Sequence, residues 1–469
     1  MHAPATVVRA AAVSLSQLMQ AQSRFKSSHL WFRGLVVLIT VLLALGTVWR
    51  AGPSTVAGHP FGSTHTHSDF TAYLAGGQAI RNGSDIYKAH NERDWAYVYL
   101  PPLAILAAPL TRLPLPASVL LWFLICVAAL SLGIRYCRRL VGAGAGPLDS
   151  AKPLLPVVLA LPFIVDGLAR GQASVVVAAA VFAMFYYDAI DQPVRAAGCL
   201  AVAVVLKVFP LALLAYFVWR RRWRFCVFSV VFMILGGLLF PACVLGWQSA
   251  VHDVIEWMHV VGLPAFTPGS KAAYFPQLLQ PDGLHNQSLY AVLTRVSEAA
   301  VPALKPYVQA VSDGVSVGLF LIICRVERRA AHKNALFVTS ALVVWLLIAA
   351  PVTELHYYIL LLLPLFAILY RAPSLARAKR WLARGLLTLF GLFAVSVPVL
   401  GDALNVVWFY GGLCLLCFAL LGGLLIMAWQ PNESRDRTRT RSPVSSSPRG
   451  RRAGDLPAPG RPIPTPLVS

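Results

Sequence analysis

Five polar residues lie far apart in the sequence, each beside or inside a strongly apolar segment. They are Asp69, Gln172, Lys207, Asn286 and His356. A charged group at bilayer depth is costly, so it is usually functional or faces water. An acid, a buried lysine, a histidine and two amides around one cavity could bind an anionic lipid headgroup and a sugar. The pattern therefore predicts chemistry at a membrane surface.

Each of these residues also has a structural interpretation. Asp69 could cap a helix, because Asp is a favoured N-cap residue. Lys207 could snorkel or pair with a carboxylate, and His356 could be a hydrogen-bonded interface histidine. Gln172 could join two helices, and Asn286 begins an N-x-S pattern that is common by chance. The functional interpretation depends on the convergence of all five at one side of the membrane.

The composition is that of an all-α polytopic membrane protein. The chain has 469 residues, of which 58% are hydrophobic and 13% charged, and soluble proteins are about twice as charged. Its apolar runs, which include 153–168, 385–400 and 404–428, predict a bundle of about 11–13 transmembrane or partial helices. The net charge of +21 lies in short loops and in the tail, as the positive-inside rule predicts. Nucleic-acid binding is therefore not expected.

The distribution of charged residues along the sequence also predicts the domain organisation. Residues 1–32 are predicted to be a cytoplasmic arm, and residues 33–429 the transmembrane domain, in which a first span runs from about 32 to 49. Loops at about 50–96 and 248–306 are then extracytoplasmic. Residues 430–469 are rich in Arg, Ser and Pro, which predicts a disordered basic cytoplasmic tail. The protein would cross the cell membrane several times, with both termini in the cytoplasm.

The number of crossings requires a reversal at Lys207. The apolar stretch 196–219 must start and finish inside, so it cannot be a single straight span. Lys207 lies in its middle and Pro210 follows, which breaks a helix. The two halves are expected to form a V with Lys207 at its outward apex. The proline-flanked stretch 97–110 is expected to be a partial or re-entrant helix, buried in protein or lining a cavity.

Several motifs, in this order and spacing, resemble a known family. They are Asp69-Phe70 to Tyr73 with Gly83 and Tyr87, Tyr99 to Leu103 with Pro109, Gly171-Gln172, Leu206 to Pro210, Asn286 to Leu289, and Pro351 to Tyr358. The chain is similar to bacterial membrane glycosyltransferases of family 87, in the C-type superfamily that uses polyprenyl-phosphate sugars. The resemblance implies a C-type bundle whose extracytoplasmic loops carry short helices.

The resemblance also implies a reaction. A sugar, mannose by default, would pass with inversion from a polyprenyl phosphate to an acceptor hydroxyl at the extracytoplasmic face. Asp69 matches the acid expected to be the general base, and Lys207 and His356 match positions near the donor phosphate. Family members often have Trp-x-His-His where this chain has Glu354 to Tyr357. The single histidine leaves open which member of the pair carries the function.

The remaining expectations concern ligands. Tyr73, Gln172, Asn286 and Tyr357 are predicted to bind substrate, the two tyrosines by stacking on sugar faces. The expected partners are a polyprenyl-phosphate sugar, a glycolipid or polysaccharide acceptor and membrane lipids. No metal and no cofactor are expected, because the sequence has no Asp-x-Asp motif for a metal-bound nucleotide sugar and no Gly-rich phosphate loop after a strand. The histidines at 65 and 67 lack obvious further ligands.

Two other functions fit part of the pattern. A transporter or lipid flippase also has broken helices and membrane-embedded charges, but the two halves of the chain show no internal repeat. A noncatalytic scaffold or polymer-export partner would use the basic tail to bind anionic lipid or protein.

Overall fold

The computed structural model describes residues 68–92, 94–142, 154–264, 283–330 and 334–429. The predicted first span, the histidines at 65 and 67, the cytoplasmic arm and the basic tail lie outside these ranges. Within them the chain is helical and no β-strand occurs. The fold-class prediction of an all-α protein is confirmed.

Eighteen α-helices are formed by the described residues. In chain order they are α1 (Ser68–Asn82), α2 (Pro101–Ala107), α3 (Leu115–Leu140), α4 (Leu154–Leu159), α5 (Leu161–Arg170), α6 (Ser174–Ala189), α7 (Pro193–Leu206), α8 (Leu213–Trp219), α9 (Trp223–Ile234), α10 (Phe240–Leu245), α11 (Trp247–Trp257), α12 (Leu289–Ala300), α13 (Val308–Glu327), α14 (Ala335–Ala349), α15 (Leu362–Arg371), α16 (Arg377–Leu400), α17 (Asn405–Phe409) and α18 (Gly412–Ala428). Short 3-10 helices at Ala108–Arg112, Phe209–Ala212 and Leu355–Leu361, and π turns at Leu235–Leu239 and Met258–Gly262, join several of them.

Five helical segments among the described residues are long and apolar enough to cross a membrane. They are Leu115–Leu140, Trp223–Leu245, Pro302–Glu327, Leu355–Ser374 and Arg377–Val397. Five shorter apolar helices accompany them: Ser174–Ala189, Pro193–Leu206, Phe209–Trp219, Ala335–Ala349 and Gly412–Ala428. The mixture of full and partial helices is that of a polytopic membrane protein, as predicted.

Helix α14 forms the centre of the bundle. Its residues from Phe337 to Ile348 are almost all buried, and a helix that is apolar all round belongs in an interior. It packs against α13, α15 and α18. On α9, by contrast, Val227, Val230 and Ile234 are exposed, which suits a lipid-facing surface. Apolar side chains thus serve as core in one helix and as membrane surface in another.

The chain reverses at Lys207. Helix α6 starts at Ser174, which contacts Lys207, and ends at the level of Asp188, which pairs with Arg222. Helix α7 returns to Lys207, whose backbone is extended (φ −149°, ψ 121°), and α8 runs back to end shortly before Arg222. All three helices therefore connect the same two ends of the bundle. The predicted V with Lys207 at its apex is confirmed.

Other helix interruptions and boundaries were predicted less well. The expected helix over 153–168 is divided into α4 and α5, and the expected single segment 404–428 is interrupted at Gly411, where φ is +72°. Helix α16 begins at Arg377, earlier than the apolar run suggests, because its first turns are amphipathic and basic. The stretch 97–110 is short, as expected, and contains only α2 and a 3-10 turn.

An aromatic cluster attaches the start of α1 to the bundle. The rings of Phe70 and Trp122 stack with their centroids 5.6 Å apart, and the Trp122 indole N–H donates to the Gly171 carbonyl at 2.6 Å. Gly171 ends α5 with φ +66°, and a Cβ there would lie 2.7 Å from the Phe70 Cβ. Only glycine permits both this backbone and this approach. The contact fixes the position of Asp69, one residue before Phe70.

Gly171→Ala is expected to destabilise the protein by about 1–3 kcal/mol, because alanine is strained at positive φ and its methyl would push Phe70 away. Thermal unfolding in detergent would measure the change. Gly422→Ala is the matched control, since nothing lies within 4 Å of the Cβ that it adds. Equal melting temperatures for the two variants would contradict the proposed role of Gly171.

Candidate active site

Lys207 lies at the centre of the site and is only 6% exposed. Its ammonium donates to the Ser174 hydroxyl at 2.9 Å and lies 3.2 Å from the His356 Nε2. It also lies over the Tyr357 ring, 4.1 Å from the centroid, a distance at which a cation is attracted to the ring face. These contacts hold a charge that the break between α7 and α8 places inside the protein.

Two carboxylates lie behind His356. This side chain is 1% exposed, and its Nδ1 is 3.4 Å from the Asp166 Oδ2 and 3.6 Å from the Glu354 Oε2. Asp166 is itself held by Arg170, whose Nε donates to Oδ1 at 2.9 Å one turn along α5. A row of one acidic and three basic groups therefore extends from Arg170 through Asp166 and His356 to Lys207.

Asp69 lies in the first turn of α1 and is partly buried. Burial raises the pKa of its carboxyl above the ordinary value. Protonated His356 would lower this pKa, the negative charge of Glu354 raises it, and Lys207 and Arg170 lower it. Because the net direction is upward, Asp69 is a stronger proton acceptor than an exposed aspartate. The same charges show that Asp69 belongs electrostatically to the group around Lys207.

Tyr73 and Gln172 connect α1 with the turn before α6. The buried Tyr73 hydroxyl lies within hydrogen-bond distance of the Gln172 Oε1 at 3.3 Å and the Tyr99 hydroxyl at 3.4 Å, and it accepts from the Ala173 N–H at 3.3 Å. The Tyr73 ring packs edge-on against Tyr99 and Trp122. Both residues lie next to the site and position α1. Their predicted role in substrate binding stays a prediction.

An apolar cavity of about 490 Å³ adjoins the Lys207 ammonium. Tyr99 and Tyr357 contribute to its wall, and of the described residues that line it Lys207 alone is charged. The apolar lining comes from the loop before α2, from α7 and the 3-10 turn after it, from the end of α11 and the π turn after it, and from α14. It includes Leu100, Val205, Leu211, Trp257, Val261 and Leu346. A ligand with a long apolar part and one anionic group matches this combination.

Asn286 is placed differently. Its Oδ1 accepts from the backbone N–H groups of Ser288 and Thr353 at 3.2 and 2.9 Å, and its Nδ2 donates to the Pro351 carbonyl at 3.3 Å. These contacts clamp the start of α12 to the turn that leads to His356. Asn286 thus shapes the backbone beneath the site, and its predicted contact with substrate stays a prediction.

A comparison with models of protein families identifies the family to which the chain belongs. Residues 97–351 match the model of glycosyltransferase family 87. The chain belongs to glycosyltransferase family 87. No curated protein sequence matches it.

Membership in family 87 makes the chain a membrane glycosyltransferase with a sugar donor and an acceptor. The matched range contains Asp166, Gln172 and Lys207, whereas Asp69 precedes it and His356 follows it. The fold brings these two outer residues to the same place through the Phe70–Gly171 contact and the His356–Lys207 contact. Within the described part of the chain, no group of three or more His, Cys, Asp or Glu side chains is placed to hold a metal ion.

Sequence reasoning missed three residues of the site, Asp166, Arg170 and Ser174. Asp166 was counted within the apolar stretch 153–168, although an acid there is as unusual as Lys207 in its own segment. Its spacing of four residues from Arg170 is that of an ion pair on one helix face. This spacing was the available signal. Ser174 carried no signal, because serine is common at helix starts.

Asn286→Ala is expected to lower the free energy of unfolding by about 1–3 kcal/mol for each buried backbone group that loses its partner. The measurement is thermal unfolding, with the exposed Gln78→Ala on α1 as a control. If the variant melts like the wild type but binds its substrates more weakly, the substrate-binding prediction is correct and the structural role is wrong.

Proposed function

We propose that the enzyme transfers a sugar, by default mannose, from a polyprenyl phosphate to an acceptor hydroxyl, with inversion, at the extracytoplasmic face of the cell membrane. The observation that carries this proposal is the Lys207 ammonium at the wall of an apolar cavity whose other described lining residues are uncharged. The isoprenoid chain would occupy the cavity, and the phosphate would lie against Lys207.

The donor capacity of Lys207 supports a phosphate at this place. An ammonium has three N–H donors, and Ser174 and His356 occupy two of them. The third N–H has no hydrogen-bond acceptor among the described residues and is available to a phosphate oxygen. A polyprenyl phosphate leaves as an anion, so its departure needs a fixed positive charge and no general acid. Lysine supplies that charge without demanding a bidentate geometry.

Asp69 is the proposed general base. Its carboxylate would accept the proton of the acceptor hydroxyl while the oxygen attacks the anomeric carbon and the bond to the phosphate breaks. One base on the face opposite the leaving group implies inversion. The raised pKa of Asp69 favours uptake of this proton. The acceptor is a glycolipid or a polysaccharide hydroxyl, which would approach from the Asp69 side.

The charge at the other end of the bundle supports the proposed orientation. There Arg220 and Arg222 pair with Asp188, and Arg220 also pairs with Glu327. A surplus of Lys and Arg in short loops is typical of the cytoplasmic side. Because α6 and α8 connect this end with Lys207, the site would open on the extracytoplasmic side, where lipid-linked sugars replace nucleotide sugars.

Asp69→Asn is expected to lower kcat by about 10²–10⁴-fold, the usual contribution of a general base, and to leave donor binding nearly unchanged. Purified enzyme would be supplied with radiolabelled polyprenyl-phosphate mannose and native membrane lipids, and the label in the acceptor would be counted. Asp313→Asn makes the same chemical change on the exposed surface of α13 and is the control.

Wild-type rates in the Asp69→Asn variant would refute the role of Asp69. If the wild type transfers another sugar from its polyprenyl phosphate but does not transfer mannose, the identity of the donor sugar is wrong and the proposed mechanism stands. Transfer from a nucleotide sugar alone would overturn the proposed donor.

The pH profile of kcat/KM is expected to have an acidic limb, because Asp69 acts only when deprotonated. Burial raises its pKa, so the limb lies at higher pH than for an exposed aspartate. Glu354 raises this pKa further through its negative charge, so Glu354→Gln should move the limb to lower pH. A limb that stays in place or moves upward would show that Asp69 is not the titrating group.

A further inference from the structure

Four polar contacts form a row behind the proposed phosphate site. The Arg170 Nε donates to the Asp166 Oδ1 at 2.9 Å, and the Asp166 Oδ2 lies 3.4 Å from the His356 Nδ1. The His356 Nε2 lies 3.2 Å from the Lys207 Nζ, which donates to Ser174 at 2.9 Å. Arg170 and Asp166 lie on one face of α5, whereas His356 and Lys207 come from distant parts of the chain.

Two atoms in the middle of this row face each other, and neither is hydrogen-bonded to a described residue. Among the described residues, neither the Asp166 Oδ2 nor the His356 Nδ1 has a hydrogen-bond partner, and both are buried. A small rotation of either side chain would turn their 3.4 Å contact into a hydrogen bond. Buried polar atoms are almost always hydrogen-bonded, and a hydrogen bond between these two would satisfy both.

The chemistry of Lys207 fixes the direction of the row. An ammonium only donates, so the His356 Nε2 must present its lone pair to Lys207. In a neutral imidazole the proton then resides on Nδ1, where the Asp166 carboxylate accepts it. A carboxylate behind a histidine commonly sets the tautomer in this way.

We propose that Asp166 is a positioning residue: it holds the His356 proton on Nδ1, so that Nε2 accepts from Lys207 and Lys207 keeps its remaining N–H for the donor phosphate. The proposal rests on the function proposed above. Asp166 touches neither donor nor acceptor in this arrangement and acts through His356.

Glu354 is the competing carboxylate, at 3.6 Å from the same nitrogen. Its side chain is 34% exposed, whereas that of Asp166 is 17% exposed and is oriented by Arg170. An exposed carboxylate is screened and mobile, so it fixes a tautomer less strongly. Asp166 is therefore assigned as the positioning residue.

The Arg170 contact makes Asp166→Asn a directional test. Because the Arg170 Nε requires an acceptor, the new amide keeps its oxygen toward Arg170 and turns its NH₂ group toward the His356 Nδ1. Two donors cannot face each other, so the His356 proton is expected to move to Nε2. That proton then faces the ammonium, and the contact with Lys207 is lost.

The ¹⁵N spectrum of histidine-labelled enzyme in lipid bilayers would measure the tautomer by solid-state NMR. His356 would be assigned by its contact with the labelled Lys207 Nζ and by the loss of its signals in His356→Gln. The expected result is protonated Nδ1 and bare Nε2 in the wild type and in Glu354→Gln, with the reverse in Asp166→Asn. Protonated Nε2 in the wild type would overturn the proposal without any variant, and so would the same reversal in Glu354→Gln.

Donor affinity gives a second readout. Asp166→Asn is expected to weaken the binding of a sugar-free polyprenyl phosphate by about 10–100-fold, the loss of affinity that removal of a carboxylate behind a metal-bound histidine causes at metal sites, while its melting temperature shows that it is folded. Unchanged affinity with a reversed tautomer would overturn the link to Lys207. If the wild type has the expected tautomer but neither binds polyprenyl phosphate nor transfers sugar from it, the proposed function fails and the tautomer assignment remains.

Discussion

The arrangement of the site depends on the burial of the Lys207 ammonium group. Removing a lysine charge from water is expensive unless the protein replaces the lost hydration. Lys207 obtains this replacement from a hydroxyl, an imidazole and an aromatic face, and no carboxylate in the described part of the chain is bonded to it directly. The negative charge lies on Asp166, behind the His356 imidazole that contacts Lys207. A direct ion pair would satisfy Lys207 and compete with a phosphate, whereas neutral partners stabilise it and leave it able to bind an anion.

The partners of Lys207 all come from places where helices are interrupted. Lys207 separates α7 from α8, Ser174 follows the left-handed Gly171, and His356 lies in a 3-10 segment. Irregular backbone within a membrane protein is tolerated where it is buried in protein or lines a cavity, and here it does both. The regular helices around these breaks, above all α14, supply the apolar packing that keeps the interrupted segments in place.

The sequence predicted the features that follow from the cost of charge in an apolar segment. The break at Lys207 followed from its charge, from Pro210 and from the number of crossings, and the structure has it. The grouping of Asp69, Gln172 and His356 around Lys207 followed from the same topology. Asp166 was missed because its apolar neighbours concealed it. The backbone contacts of Asn286 could not be predicted, because they depend on the path of a turn more than sixty residues away.

The contact between Lys207 and His356 joins residues 149 positions apart. At about 5–20 residues per second, synthesis of the intervening chain takes roughly 7–30 s. Throughout that interval α6 and α7 are available and His356 does not yet exist, so the ammonium has Ser174 but lacks its imidazole. The Lys207 ammonium can therefore gain its imidazole partner only after the segment that follows α14 has been synthesised. Late arrival of the segment after α14 makes the final stage of biogenesis, and not the insertion of the first helices, the step that completes the interior of this enzyme.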